Sequence, residues 1–284
     1  MKDKKVLTVQ DISCFGQCSL TVALPIISAC GIETAILPSA VLSTHTGGFK
    51  GFTFRDLSDD IPAIQKQWLT EGLKFDSIYT GYLGSKKQID MVADLMDTLL
   101  EEDGLRIVDP AMADNGKLYT GFDMAYVEEM KRLAKRADIF LPNLTEACLL
   151  TGYDFRTDRA EDSSSGKVQD EAYIDEVVQA LGQLCGGKVI LKGLMYKPGQ
   201  LGVCIYDPKT GQKQYVFNDR INKSFHGTGD CYASALTGML MRGKSEEEAC
   251  AIAGQFVLTA IKETIKDPNH WYGVKFEKAL KVLV

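Results

Sequence analysis

The residues His226-Gly227-Thr228-Gly229-Asp230 stand directly ahead of a run of good helix formers, 231–241. A Gly-x-Gly turn that opens a helix leaves backbone N–H groups pointing outward without a partner, and the helix dipole adds partial positive charge at the same end. Gly227, Thr228 and Gly229 therefore form a candidate anion site. Asp230 is the odd member, because a carboxylate beside an anion site repels the ligand. It is useful there if it takes a proton from a group that attacks the anion; the plainer reading is a helix start capped by Thr228 or Asp230. Carboxylates recur elsewhere. Asp109 follows the apolar run 105–108, Asp114 comes soon after, and Glu146 lies in the first turn of the helix expected after Pro142-Asn143. Acidic residues at two neighbouring strand ends can together hold Mg²⁺ through hard oxygen ligands, often with water between, as a phosphoryl transfer requires. Against that, Asn143 and Glu146 are three apart, the spacing of a capping box. Lys192 closes a further strand run, where it either meets phosphate or is solvated.

The elements that must position these residues are short β-rich runs alternating with amphipathic helices. Strands are expected at 5–9, 33–37, 75–80, 105–109, 139–141 and 188–192, and a helix at 19–30 with Gly31 as its stop. In 85–102 the apolar residues Ile89, Val92, Ala93, Met96, Leu99 and Leu100 follow the three-then-four spacing of one helix face. Ile174, Val177, Val178 and Leu181 repeat that spacing, as do Ala249, Ile252, Ala253, Phe256, Val257, Ala260 and Ile261. Such alternation implies an α/β fold with a mostly parallel sheet covered on both faces, and ligands in these sheets bind at the carboxyl ends of the strands. Residues 201–206 and 212–217, joined by 207–211, read as a β-hairpin. Residues 44–55, with three glycines among aromatics, read either as a flap or as a wide turn, and 154–170 as an exposed polar loop. There is no internal repeat and no linker, so one domain over 1–284 is expected. Gly238-Met239-Leu240-Met241-Arg242-Gly243-Lys244-Ser245 satisfies the G-x-x-x-x-G-K-[ST] pattern but follows helix rather than strand. Gly243 is better read as a helix stop, and Ser245 with Glu248 as a capping box.

Taken together and in order, Gly81-Tyr82-Leu83-Gly84-Ser85, Val108-Asp109-Pro110 with Asp114, Pro142-Asn143-Leu144-Thr145-Glu146 and the late Gly-x-Gly-Asp resemble the ribokinase superfamily, and within it the vitamin B6 (pyridoxal/pyridoxamine) kinases. The strand ending in Gln10-Asp11 and the stretch Ser43 to Thr46 agree with that family. The resemblance implies a ribokinase-like three-layer α/β/α fold with a small flap, and transfer of the ATP γ-phosphate to the hydroxymethyl group of a B6 vitamer. It implies Asp230 as catalytic base, with Gly227, Thr228 and Gly229 as its anion hole. Asp109 and Glu146 would lie in the Mg-ATP environment, with Asn143 and Asp114 near the phosphates and Lys192 on the nucleotide side. Thr46 and Tyr82 would contact the pyridine ring, with His45 beside it. A homodimer is implied, and a monovalent-cation requirement is left open. The sequence departs at Asp11, where many B6 kinases carry Ser touching the ring; a carboxylate there favours a pyridinium or an exocyclic amine. His226 ahead of Gly-Thr-Gly is also similar to the hydroxymethylpyrimidine kinases of thiamine synthesis, whose motif ends in Cys; here Cys231 comes one place later and reads as a small buried helix residue. A non-catalytic vitamer-binding protein is the third reading, and Asp230 speaks against it, since a binder gains nothing from a carboxylate facing phosphate.

The bulk composition narrows the remaining classes. With 284 residues the chain can bury one large core. Its net charge of −6, without a basic block, argues against nucleic acid as a partner. No run of about 18 apolar residues is present, so no membrane span is expected, and the charged start lacks the apolar stretch of a signal peptide. The eight cysteines form no Cys-x-x-Cys and suit a reducing cytosol, while the three histidines share no zinc-ligand spacing.

Overall fold

The computed structural model describes residues 3–156 and 169–284; most of the loop expected at 154–170 lies outside them. The chain forms two compact units, Met1–Ile107 with Ser224–Val284, and Val108–Lys223.

The first unit opens with β1 (Lys5–Ser13), α1 (Leu20–Ala29), β2 (Glu33–Leu42), β3 (Phe54–Asp56), α2 (Ile61–Thr70), β4 (Phe75–Thr80), α3 (Lys86–Thr98) and β5 (Leu100–Val108). Its strands run in the order β5-β4-β1-β2-β3. β1 pairs parallel with β2, Lys5 opposite Glu33, and with β4, Val6 opposite Ser77; β3 adds antiparallel at the edge. Val6, Leu7, Val9, Ile78 and Tyr79 are completely buried, as befits strands covered on both faces. Each such aliphatic side chain contributes about 1.5–3 kcal/mol by leaving water. β1 runs four residues beyond the apolar run 5–9 and two beyond the Asp11 end that the resemblance implies. α3 ends at Thr98 instead of 102, and Leu100 belongs to β5. α2 was not legible from periodicity, since only Ile61 is buried, although Asp60 with a proline in the first turn marks its start.

The second unit begins with a miniature hairpin, β6 (Ala113–Asp114) and β7 (Lys117–Leu118). Asn115 (φ 51°) and Gly116 (φ 76°) form its two-residue turn, both in the left-handed region that such turns require. Then come α4 (Met124–Ala134), β8 (Ile139–Phe140), α5 (Leu144–Thr151), α6 (Glu171–Leu184), β9 (Lys188–Leu194), β10 (Gln200–Asp207) and β11 (Gln212–Asp219). The strand order is β11-β10-β9-β8. β8 and β9 are parallel, while β10 and β11 form the expected hairpin antiparallel to β9.

The chain then returns to the first unit with α7 (Thr228–Met241) and α8 (Glu246–Thr264). Met239 to Met241 continue α7, Gly243 has φ 83°, and Ser245 with Glu248 forms a complete capping box, so the P-loop pattern is helix and turn. α7 packs on α1 at close range: a Cβ at Gly238 would come 2.4 Å from the Cys30 sulfur.

Candidate functional site

In the first unit the start of α7 is built around Gly227, which has φ 75° and serves as N-cap without a side-chain cap. A Cβ there would sit 1.7 Å from the Gln17 carbonyl oxygen. The turn thus exists only because residue 227 is glycine. Neither local capping reading holds: the Thr228 hydroxyl donates back to the Phe225 carbonyl, and Asp230 turns away from its own helix to accept the Ser19 backbone N–H at 2.9 Å. The N–H groups of Thr228, Gly229 and Asp230 belong to the first turn, where the α-helix supplies no partner. Cys231 is completely buried behind them, and burial, then the Asp230 charge, pushes its thiol well up; it is the small core residue its position suggests.

Asp11 closes the same corner. It is 4% exposed and accepts the Ser13 hydroxyl at 2.9 Å. Burial raises its carboxyl against the pull of the neighbouring Ser19 and Ser13 hydroxyls and of His45. Burial, then the charges of Asp11 and Asp56, pushes the half-buried Tyr82 phenol up to about 12, so Tyr82 stays a neutral hydroxyl. The Cys18 thiol is held well up by burial, then by Asp230 and Asp11. Thr46 is exposed on the connector between β2 and β3. His45 is buried, and both its nitrogens are engaged: Nδ1 accepts the Gly47 N–H at 3.1 Å, so Nε2 carries the hydrogen and donates to the Tyr272 carbonyl at 3.0 Å. Its ring lies 5.3 Å from His226 and 5.0 Å from Phe49, which in turn meets Trp271 at 4.6 Å. His45 therefore ties the connector to the C-terminal segment.

In the second unit the residues Asn143, Glu146, Asp109, Lys192 and Asp114 converge around α5. Asn143 and Glu146 do form a capping box: the Asn143 side chain accepts the Glu146 N–H, and the Glu146 carboxylate accepts the Asn143 N–H at 2.8 Å. They also do more. The other Glu146 oxygen accepts the Met112 N–H at 2.9 Å, the Asn143 amide donates to the Ala113 carbonyl at 2.8 Å, and the Thr145 hydroxyl accepts the Gly116 N–H at 3.0 Å. The start of α5 thereby clamps the β6–β7 hairpin, which holds Asp114 exposed with its carboxylate accepting from Asn115. Lys192 forms an ion pair with the nearly buried Asp109. Burial, then the Asp109 charge, pushes the Glu146 carboxyl up, against Lys192 and the Asn143 and Met112 N–H groups.

Among the described residues no three His, Cys, Asp or Glu converge as direct ligands of a metal ion. Glu146 spends both oxygens on backbone N–H groups. With Glu146 held up by burial and Lys192 paired to Asp109, this donor set fits a hydrated cation held through water, whose own charge would favour the ionised carboxylates, rather than a bare one. Sequence reasoning did not find Ser13, Ser19 or the 113–118 hairpin. The hairpin carries an Asn-Gly signal that could have revealed it; nothing in the local sequence marks Ser19.

A family model for phosphomethylpyrimidine kinase matches residues 24–274. The pyridoxine/pyridoxal/pyridoxamine kinase of Bordetella avium is 27% identical over 267 residues, covering 90% of this chain and 84% of that protein. A Bacteroides thetaiotaomicron protein assigned as a phosphomethylpyrimidine kinase and crystallised with pyridoxal is 36% identical, with a TM-score of 0.90 over 99% of this chain and 96% of that one. The pyridoxal kinase of Lactobacillus plantarum is 31% identical, with a TM-score of 0.87 over 99% and 96% of the two chains.

Proposed function

The chain belongs to the phosphomethylpyrimidine kinase family, and from that premise we propose that it transfers the γ-phosphate of ATP to the hydroxymethyl group of a vitamin B6 vitamer. The observation that carries this reading is the Gly227–Asp230 turn, where first-turn N–H groups and a carboxylate oriented by the Ser19 N–H occupy one helix start. An alcohol attacking phosphorus must lose its proton as the new O–P bond forms and ADP departs. Asp230 takes that proton, and the amides of Thr228, Gly229 and Asp230 with the α7 dipole stabilise the charge on the transferring group.

The acceptor belongs to the first unit. Tyr82 offers a ring face and a neutral hydroxyl, Thr46 a hydroxyl from the connector, and Asp11 a buried carboxyl; His45 lies beside the ring by holding the connector. The nucleotide belongs to the second unit, with Asn143, Asp114 and Lys192 on the phosphate side. Asp109 and Glu146 would hold hydrated Mg²⁺, which when bound neutralises phosphate charge. The reading extends to a cytosolic homodimer working as a single catalytic domain, with dependence on a monovalent cation to be read by salt titration. Among the described residues no helix is long and apolar enough to cross a membrane.

A second reading rests on Asp11. A buried carboxyl at the strand end also suits the exocyclic amine of hydroxymethylpyrimidine, the acceptor of the thiamine-pathway kinases. The test of the common chemistry is Asp230→Asn. We expect ATP affinity to persist while turnover falls by roughly 10²-fold or more, the range for loss of a general base. Near-normal turnover would remove Asp230 from the role.

A further inference from the structure

Every carboxylate oxygen of Asp109 and Glu146 already accepts a hydrogen bond. Asp109 Oδ1 accepts the Ala111 N–H at 3.3 Å, and Oδ2 accepts the Lys192 ammonium. Glu146 Oε1 accepts the Met112 N–H at 2.9 Å, with the Ala113 N–H at 3.5 Å, and Oε2 accepts the Asn143 N–H at 2.8 Å. All of these donors but one are backbone amides, which cannot leave without unmaking the turn after β5 or the start of α5. The exception is Lys192, whose charge rides on a flexible four-carbon stem. The Lys192 backbone is fixed, because its N–H donates to the Pro142 carbonyl at 2.9 Å. Its side chain, at 14% exposure, still reaches solvent more than that of Asp109, at 5%. Lys192 is thus the one donor of the set that can move.

We propose that Lys192 is a resident counter-ion for the metal site: its ammonium holds Asp109 until a divalent cation displaces it towards the phosphates. The proposal rests on the reading of Asp109 and Glu146 as the holders of hydrated Mg²⁺. An ammonium and a divalent cation at one carboxylate crowd like charges where little water screens them, so the two compete for Asp109. A compact ammonium can make that exchange, whereas an arginine fork locked on both carboxylate oxygens could not. The protein without nucleotide therefore binds a divalent cation weakly, and phosphate groups that draw the ammonium off open the site to it.

Lys192→Met tests this in the full chain without nucleotide, with Mn²⁺ as the probe and free Mn²⁺ read by electron paramagnetic resonance. Methionine keeps an apolar stem and removes the charge, leaving Asp109 to the cation. We expect Mn²⁺ to bind about tenfold more tightly than to the wild type, or better, equivalent to about 1.4 kcal/mol. Equal or weaker binding would overturn the exchange. Adding Asp109→Asn to Lys192→Met should abolish the gain. A gain that survives in the double variant would place the ion elsewhere and overturn the metal-site reading together with this proposal. Equal binding in Lys192→Met, with the Mg²⁺ dependence of the rate still shifted by Glu146→Gln, would strike only the role of Lys192, so the two failures are told apart. Removing one partner of a buried ion pair also weakens folding, and the wild-type protein supplies a second measurement. Amine acetylation followed by peptide mass spectrometry should find Lys192 protected relative to the exposed Lys50. Mg²⁺ should relieve that protection, and NaCl of equal ionic strength should not. Protection that Mg²⁺ leaves unchanged would overturn the proposal.

Discussion

The two glycines of the α7 start make opposite demands, and replacing each with alanine separates fold from function. At Gly229 an added Cβ meets nothing within 4 Å, and no left-handed φ is involved. Glycine-to-alanine at a compatible helical position stabilises by about 0.4–1 kcal/mol through the unfolded chain. For a chain of this size that is a rise of about 1–3 °C in melting temperature. If the phosphate approaches the amides of Thr228 to Asp230, the new methyl occupies ligand space, and kcat/KM for ATP should fall about tenfold or more although the protein is more stable. At Gly227 the same methyl lies 1.7 Å from the Gln17 carbonyl oxygen, below the 3.0 Å that real Cβ contacts essentially never breach. The backbone must give by 3.0 − 1.7 = 1.3 Å. A left-handed alanine costs about 1–2 kcal/mol and overpacking about 1–3 kcal/mol more, so Gly227→Ala should lose both stability and turnover. Thermal melting and steady-state kinetics on the two variants suffice. A Gly229→Ala enzyme with wild-type kcat/KM for ATP would refute the anion-site reasoning, because no phosphate could then be near that turn.

Three further outcomes follow from other parts of the molecule. Glu146→Gln places an amide N–H₂ where the carboxylate accepts the Met112 and Asn143 N–H groups; leaving one such buried group unmatched costs about 1–3 kcal/mol. It should also raise the Mg²⁺ concentration for half-maximal rate with little change in vitamer affinity; an unchanged Mg²⁺ titration leaves Glu146 as a clamp alone. Asp11→Ser should narrow the preference for an amine-bearing acceptor over pyridoxal, since a charge-assisted hydrogen bond contributes about 1.5–3 kcal/mol; equal shifts for every acceptor in competition assays would count against ring contact. His45 is held below its ordinary value of 6.5, chiefly by burial. A depressed histidine contributes stability that is present above its unfolded value and lost as pH falls; protonation also destroys the Nδ1 acceptor for Gly47. Hydrogen exchange at the Gly47 amide should therefore speed up, relative to its intrinsic rate, below about pH 6.5, and exchange that tracks the intrinsic rate throughout would contradict this.

Much of this was legible in the residue order. The strand at 75–80 is a short apolar run between turns and appears with those limits as β4. Strand ends are harder: Gln10 and Asp11 look polar, yet both continue β1 and are buried by neighbours that local sequence does not reveal. The two-unit division leaves no compositional mark, because Val108–Lys223 interrupts the first unit instead of following it through a linker. At the start of α5 the capping-box spacing of Asn143 and Glu146 was legible, but not that the same two side chains also bond the 113–118 hairpin, which local sequence does not reveal. Ser19 was invisible because its N–H reaches Asp230 only through a φ of 54° that its side chain argues against.

The most direct test of the central claim is ADP release by the purified protein with Mg-ATP and, in turn, pyridoxal, pyridoxamine, pyridoxine and hydroxymethylpyrimidine. Mass spectrometry of each product would accompany the kinetics. Turnover of the B6 vitamers, one phosphate gained for each ADP released, with pyridoxamine preferred over pyridoxal, is the predicted result. Turnover of hydroxymethylpyrimidine alone would move the enzyme to the thiamine pathway, and no ADP release above the acceptor-free rate with any of the four would contradict the account.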